Sequence, residues 1–230
     1  MKIRSLKTLF LSLVAFLVIF VSSCLSNIGM TDQEYVTNIA FMQAHLTVGN
    51  TLRKEGSPDE AEAHLGHPME EQYFLIEKEI TNRDDEHFDE KLKRMHSIFI
   101  AYPSDPRIEE LYTEIINIMD VSVDNLLNKH NYSKELVLAV VSPLLNQASL
   151  EYQDSIVKDI TESSQQEYKV VELPEYQDSW GFITVAKRLI KKSLDNHDDY
   201  LAISAELESL FNILPSRSGR RTGASGSMAL

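Results

Sequence analysis

From Thr31 to Leu214, apolar residues recur every three or four positions, and nearly every interruption is a proline, a glycine or a capping residue. This constrains the chain more than any other feature. A 3.6-residue period puts one apolar stripe on each segment, and helices packed on helices are the simplest way to hide every stripe. The expectation is an all-α bundle of about eight helices.

The punctuation places the helices. Thr31-Asp32 reads as an N-cap opening a helix over residues 32–54, ended by Gly56. Ser57-Pro58 is a cap followed by proline at the first helical position, opening a short helix to about Leu65 with Gly66 as its C-terminal cap. Pro68 starts the next helix, to about Thr81. Phe88, Leu92, Met95 and Phe99 keep a four-three-four spacing that Pro103 and Pro106 end. Ile108, Leu111, Ile115 and Ile118 carry a long helix towards Leu127.

Ser133 caps a further helix in which Pro143 predicts a kink or a break. Lys169 to Leu173 is the one stretch with an extended pattern, and two last helices cover about 176–194 and 198–213. Their inward residues are Phe182, Val185 and Leu189, then Ile203, Leu207, Leu210 and Leu214. Gly49, Leu52, Ala61 and Leu65 have the small/large spacing of one tetratricopeptide-like hairpin, and nothing recurs 34 residues later to make an array. Glu-Tyr-Gln-Asp-Ser stands at both 151–155 and 175–179, a repeat too short to read as duplication.

The N-terminus follows a different logic. Lys2, Arg4 and Lys7 precede an apolar run from Leu9 to Val21, then Ser22, Ser23 and the single cysteine, Cys24. That is the layout of a secretory signal rather than a membrane span. Val21-Ser22-Ser23-Cys24 resembles a bacterial lipobox, which implies removal of residues 1–23, acylation of Cys24 and attachment to a membrane. An uncleaved signal anchor and a plainly secreted protein are the alternatives. Leu25 is not the aspartate that resembles an inner-membrane retention signal, so an outer-membrane location is favoured in a host with two membranes.

Residues 24–30 form a tether, 31–214 the helical domain, and 215–230 a disordered tail in which Gly, Ser and Arg dominate. With residues 1–23 gone, 19 basic residues face 35 acidic ones, a charge of −16 that argues against a nucleic-acid partner. One cysteine excludes an internal disulfide and a Cys-based zinc site.

Metalloprotease, nucleophile-elbow, P-loop and dinucleotide signatures are all missing from the sequence, which favours a non-catalytic protein. The dense polar segment is His64-Leu-Gly-His67-Pro-Met-Glu70-Glu71. Two imidazoles and two carboxylates so close together supply ligands for iron, zinc or copper. His45, on the partner helix of the hairpin, reaches the same region, and Glu175 or Asp178 completes a site if the last helices pack there.

The competing reading makes His67 an N-cap and Glu70 its capping-box partner, with Glu71 complementing the helix dipole. Asp84-Asp85-Glu86-His87 and His197-Asp198-Asp199 read as helix-entry charge runs. Within Glu175 to Phe182, Trp180 adjoins Gly181 inside a good helical pattern, which points to a close helix crossing there.

His45-Leu46-x-x-Gly49, His64-x-x-His67-Pro68-x-Glu70-Glu71 and Glu175-Tyr-Gln-Asp-Ser-x-Gly-Phe182 together resemble a family of exported, all-helical bacterial proteins, which implies architecture rather than activity. More distantly, His67-Pro-Met-Glu70 is similar to the His-x-x-Glu part of the Gly-x-His-x-x-Glu signature of imelysin-type envelope proteins, associated with iron uptake. Gly66 falls directly before the histidine instead of two before it.

The expectation is a lipid-anchored, metal-binding envelope protein with His64, His67 and Glu70 as ligands and His45, Glu71, Glu175 and Asp178 as completers. Its competitor is a metal-free scaffold lipoprotein that holds a protein partner through the hairpin. A hydrolase using the His/Glu cluster as an acid/base pair is a distant third.

Overall fold

The structure is a computed structural model that describes residues 29–160, 166–195 and 200–213. Among these the chain is all-α apart from one hairpin. The predicted signal segment, Cys24 and residues 215–230 lie outside the described residues.

The first helix, α1 (Asp32–Lys54), starts as the capping residues predict. The Thr31 hydroxyl accepts from the Glu34 N–H at 3.2 Å, and the Glu34 carboxylate accepts from the Thr31 N–H at 2.9 Å. Asp32 and Glu34 sit in the first turn and Arg53 and Lys54 in the last, each complementing the helix dipole. Gly56 takes φ 83° beyond its end. Buried residues lie on almost every side of α1, from Tyr35 and Ile39 through Ala44 and His45 to Val48 and Leu52, because other helices surround it.

Helix α2 (Pro58–His67) folds back on α1 to complete the predicted hairpin. Ser57 is its N-cap residue and Pro58 opens it as expected, although the Ser57 side chain makes no capping bond. One expectation fails: Gly66 does not end the helix. The chain continues through His67 into a single π-turn, Pro68–Gln72, closed by the Tyr73 N–H to the Pro68 carbonyl, and then into α3 (Tyr73–Asn82). Such an insertion keeps the backbone bonded while rotating the faces of α3 relative to those of α2.

Helix α4 (Asp89–Ala101) buries Leu92, Met95 and Phe99, and Phe88 at its N-cap is buried with them, the stripe read from sequence. Helix α5 (Arg107–Lys129) lies against α4 and α1, with Met119 rather than Ile118 facing inward. Helix α6 (Lys134–Ser155) is capped by the Ser133 hydroxyl accepting from the Leu136 N–H, and Pro143 sits inside it without ending it.

Strands β1 (Ile156–Ile160) and β2 (Gln166–Val170) pair antiparallel with Ile156 opposite Val170. The sequence pattern reached only the end of β2 and missed β1. The hairpin returns the chain so that α7 (Leu173–Leu194) packs along α6 and across α1, followed by α8 (Tyr200–Ile213) against α7. Phe182, Val185, Leu189 and Leu207 are buried as expected and Ile203 is half-buried, while the side chain of Leu210 and all of Leu214 lie outside the described residues.

Among the described residues no helix is long and apolar enough to cross a membrane.

Candidate metal centre

Two glycines fix how closely α1 meets its neighbours. A Cβ at Gly49 would stand 2.7 Å from the Leu65 side chain and 3.2 Å from the Ala61 carbonyl oxygen, so only glycine lets α1 and α2 touch there. A Cβ at Gly181 would stand 2.6 Å from Val48 Cγ2 and 2.9 Å from the Ala44 carbonyl oxygen, so α7 also lies against the backbone of α1. This is the close crossing expected beside Trp180. His45 adjoins Ala44 and lies one turn before Gly49, His64 lies one turn after Ala61, and Asp178 precedes Gly181 by three residues. Close backbones therefore bring their polar side chains together.

His45, His64, His67 and Asp178 offer ligand atoms that all lie within 4.8 Å of one another. Asp178 Oδ1 stands 2.8 Å from His45 Nδ1 and 2.8 Å from His64 Nδ1. His67 Nδ1 is 3.9 Å from Asp178 Oδ2 and is buried with no hydrogen-bond partner. The His45 ring is held edge-on by both Phe182 and His67, with ring centres 5.3 Å and 5.2 Å away. The His64 side chain is fully buried, and that of His67 keeps 26% of its surface, so His67 is the most accessible of the four.

The electrostatics follow from burial and proximity. Burial alone would raise the Asp178 pKa, but His45 and His64 outweigh it and hold the carboxyl far below its usual range. Burial would lower His45, and Asp178 outweighs it, with Glu71 and Glu151 adding to the rise. His67 goes the other way. Burial, then the charge on His45, lowers its pKa to about 4, which leaves a neutral imidazole at neutral pH.

The other predicted ligands stand further out. Glu70 is exposed on the π-turn and is not among the converging groups. Neither His67 nor Glu70 caps a helix: the backbone runs unbroken through Pro68, so it presents no fresh set of free N–H groups there. Glu71 is exposed by surface area, yet burial of its carboxyl raises its pKa and it interacts with His45 and Asp178. Burial also raises Glu175, whose Oε2 is buried without a hydrogen-bond partner.

Sequence reasoning missed Glu151. It lies on α6, and burial, then Asp178 and Glu175, push its pKa up to about 7 against a hydrogen bond from Gln147. The signal was the repeated pentapeptide. Its two copies end α6 and begin α7, so Glu151 and Glu175 occupy matching positions, both interact with Asp178, and Tyr152 and Tyr176 stand 6.2 Å apart by ring centre.

Three imidazole nitrogens beside one carboxylate are a donor set that iron, zinc and copper share. Donors around a four-coordinate metal at about 2.1 Å sit about 3.4 Å from each other. The contacts of 2.8 Å and 3.9 Å bracket that spacing. The buried His67 Nδ1 is the atom a cation would satisfy.

Residues 128–226 match the family described as the iron permease-associated 4-helix bundle domain, in keeping with the helical architecture of this chain. The match spans α6, α7 and α8 and so includes Asp178, Glu151 and Glu175, while the three histidines come from the helices before it. No curated protein and no solved structure matches the chain.

Proposed function

We propose that this chain is a non-catalytic, metal-binding protein of the cell envelope, anchored by lipid at Cys24, that handles iron alongside an iron permease. The observation carrying the metal reading is the convergence of His45, His64, His67 and Asp178 on one small volume between α1, α2 and α7. The cluster is only partly satisfied without a cation: Asp178 Oδ1 has two imidazole partners, but the buried His67 Nδ1 has none, which is costly.

The likeness of residues 128–226 to an iron permease-associated bundle favours iron over zinc and copper. A lipidated Cys24 would hold the acidic helical domain at a membrane surface, with the outer membrane favoured if the host has two. The metal is cargo in this reading, captured and released rather than used for chemistry.

The test is calorimetry with Fe²⁺ under anaerobic conditions, and with Zn²⁺ and Cu²⁺, on the purified full-length chain and its His64→Ala/His67→Ala variant. Micromolar or tighter binding lost in the variant supports the reading. A folded wild-type chain that binds none of the three overturns it and leaves the scaffold lipoprotein, working through the α1–α2 hairpin, as the account to pursue.

A further inference from the structure

His64 is gripped at both ring nitrogens by consecutive residues of α7. Asp178 Oδ1 stands 2.8 Å from Nδ1, and Gln177 Oε1 stands 2.9 Å from Nε2. Gln177 is 1% exposed and His64 not exposed at all, so water is shut out of both contacts. The amide of Gln177 is itself oriented, because its Nε2 donates to Glu60 Oε2 at 2.7 Å. A carboxylate only accepts, so the NH₂ of Gln177 must face Glu60 and its oxygen must face His64.

That oxygen cannot donate, so the hydrogen in the His64–Gln177 contact belongs to Nε2 of the imidazole. Glu60 and His64 are four residues apart on α2 and therefore share one helix face, which lets a single side chain from α7 reach both. With Nε2 committed to a proton, the nitrogen of His64 left for a cation is Nδ1, which donates to the Asp178 carboxylate in the metal-free chain and would give up that proton when a metal takes its place.

We propose that Gln177, locked by Glu60, is a positioning residue that fixes the His64 tautomer and presents its Nδ1 to the metal. This rests on the metal-binding reading of the site and adds to it the outer hydrogen bonds that ligating histidines require. Loss of such a partner typically weakens metal affinity about 10–100-fold. The pair has a specific signature, because the requirement is for an acceptor-only oxygen opposite Nε2 and not for glutamine as such. Exchanging the two groups, Gln177→Glu with Glu60→Gln, keeps it: the new amide at position 60 donates to the new carboxylate at 177, which accepts from His64.

The experiment uses the full-length chain with ¹⁵N-labelled histidine, loaded with Zn²⁺ as a diamagnetic probe. Long-range ¹H–¹⁵N spectra, with the His64 signals assigned by their loss in His64→Gln, report which ring nitrogen holds the proton. The proposal expects the proton on Nε2 in the wild type, a zinc Kd raised about 10–100-fold in Gln177→Leu, and affinity and Nε2 signal restored in the exchange variant. A Gln177→Leu chain that is less stable but binds zinc as the wild type does would show a merely structural glutamine and overturn the proposal. A proton on Nδ1 of His64 in the loaded wild type overturns it even if Gln177→Leu does not fold. A wild type that binds no zinc, iron or copper instead brings down the metal-binding reading, and the proposal with it.

Discussion

Gly181→Ala asks whether the closeness of α1 and α7 serves the site or only the packing. The new Cβ would meet Val48 Cγ2 at 2.6 Å and the Ala44 carbonyl oxygen at 2.9 Å, where ordinary contact begins near about 3.5 Å. Val48 is 2% exposed and, being β-branched, has essentially one rotamer in a helix. Ala44 offers backbone, which cannot turn aside. The relief must therefore come from α7 moving off α1 by about 0.5–1 Å.

Overpacking of this kind costs about 1–3 kcal/mol, and alanine recovers about 1 kcal/mol of helix propensity, so the net destabilisation is about 0–2 kcal/mol. The site suffers more than the fold. Asp178 is one turn away on the same helix, and its 2.8 Å contact with His45 would open past hydrogen-bonding distance. Denaturant unfolding of the metal-free chain and calorimetric metal titration, run on the same preparation, should give a small stability change beside a metal affinity reduced about tenfold or more. Gly56→Ala is the control, since that glycine has φ 83° and no atom near its missing Cβ. It should cost about 1–2 kcal/mol and leave affinity alone. A Gly181→Ala chain about 1 kcal/mol more stable than wild type with unchanged affinity would refute the reasoning.

Glu151→Gln should flatten the pH dependence of the metal-free chain. The folded state holds the Glu151 proton up to about pH 7, whereas the unfolded chain releases it near pH 4.5, so stability falls as pH rises through that window. Urea midpoints at about pH 5 and about pH 8 check this, and equal slopes in wild type and variant would contradict it. Asp32 has the opposite sign. A hydrogen bond from His130, then Arg83 and Lys129, outweigh partial burial and hold its carboxyl well below the usual range, so its contribution is present at neutral pH and is lost as pH falls below about 4. Asp32→Asn should cost about 1–2 kcal/mol at pH 7 and abolish that share of the acid sensitivity, read from thermal unfolding across the acid range.

Most of the helices were legible because their apolar residues recur at one helical period whatever covers them. Phe88, Leu92, Met95 and Phe99 predicted a buried face without knowledge of what covers it. Thr31 and Ser133 predicted helix starts because a cap is satisfied within four residues. Gly66 and Pro68 misled for a complementary reason: Gly66 also fits inside a helix and lies within α2, and the π-turn that begins at Pro68 has no local sequence signature. The hairpin of β1 and β2 was mostly invisible, since the pairing of Ile156 with Val170 depends on the helices before and after it.

The candidate site divides in the same way. His45, His64 and His67 were legible because the small residues Gly49 and Ala61 placed their helices side by side. Asp178 required a helix crossing that only Gly181 hinted at. Glu70 looked like a ligand from its spacing with His67, but the π-turn alters the register between them and Glu70 stays exposed. Gln177 was unreadable, because a glutamine gains meaning only from the two groups it bridges, and both belong to another helix.

The most direct test of the central claim is iron-edge X-ray absorption on the full-length chain loaded with one equivalent of Fe²⁺. The account predicts imidazole scattering from three histidines with oxygen completing the shell, and loss of most of that scattering in His64→Ala/His67→Ala. An all-oxygen shell without imidazole would contradict it and place any bound iron on surface carboxylates instead.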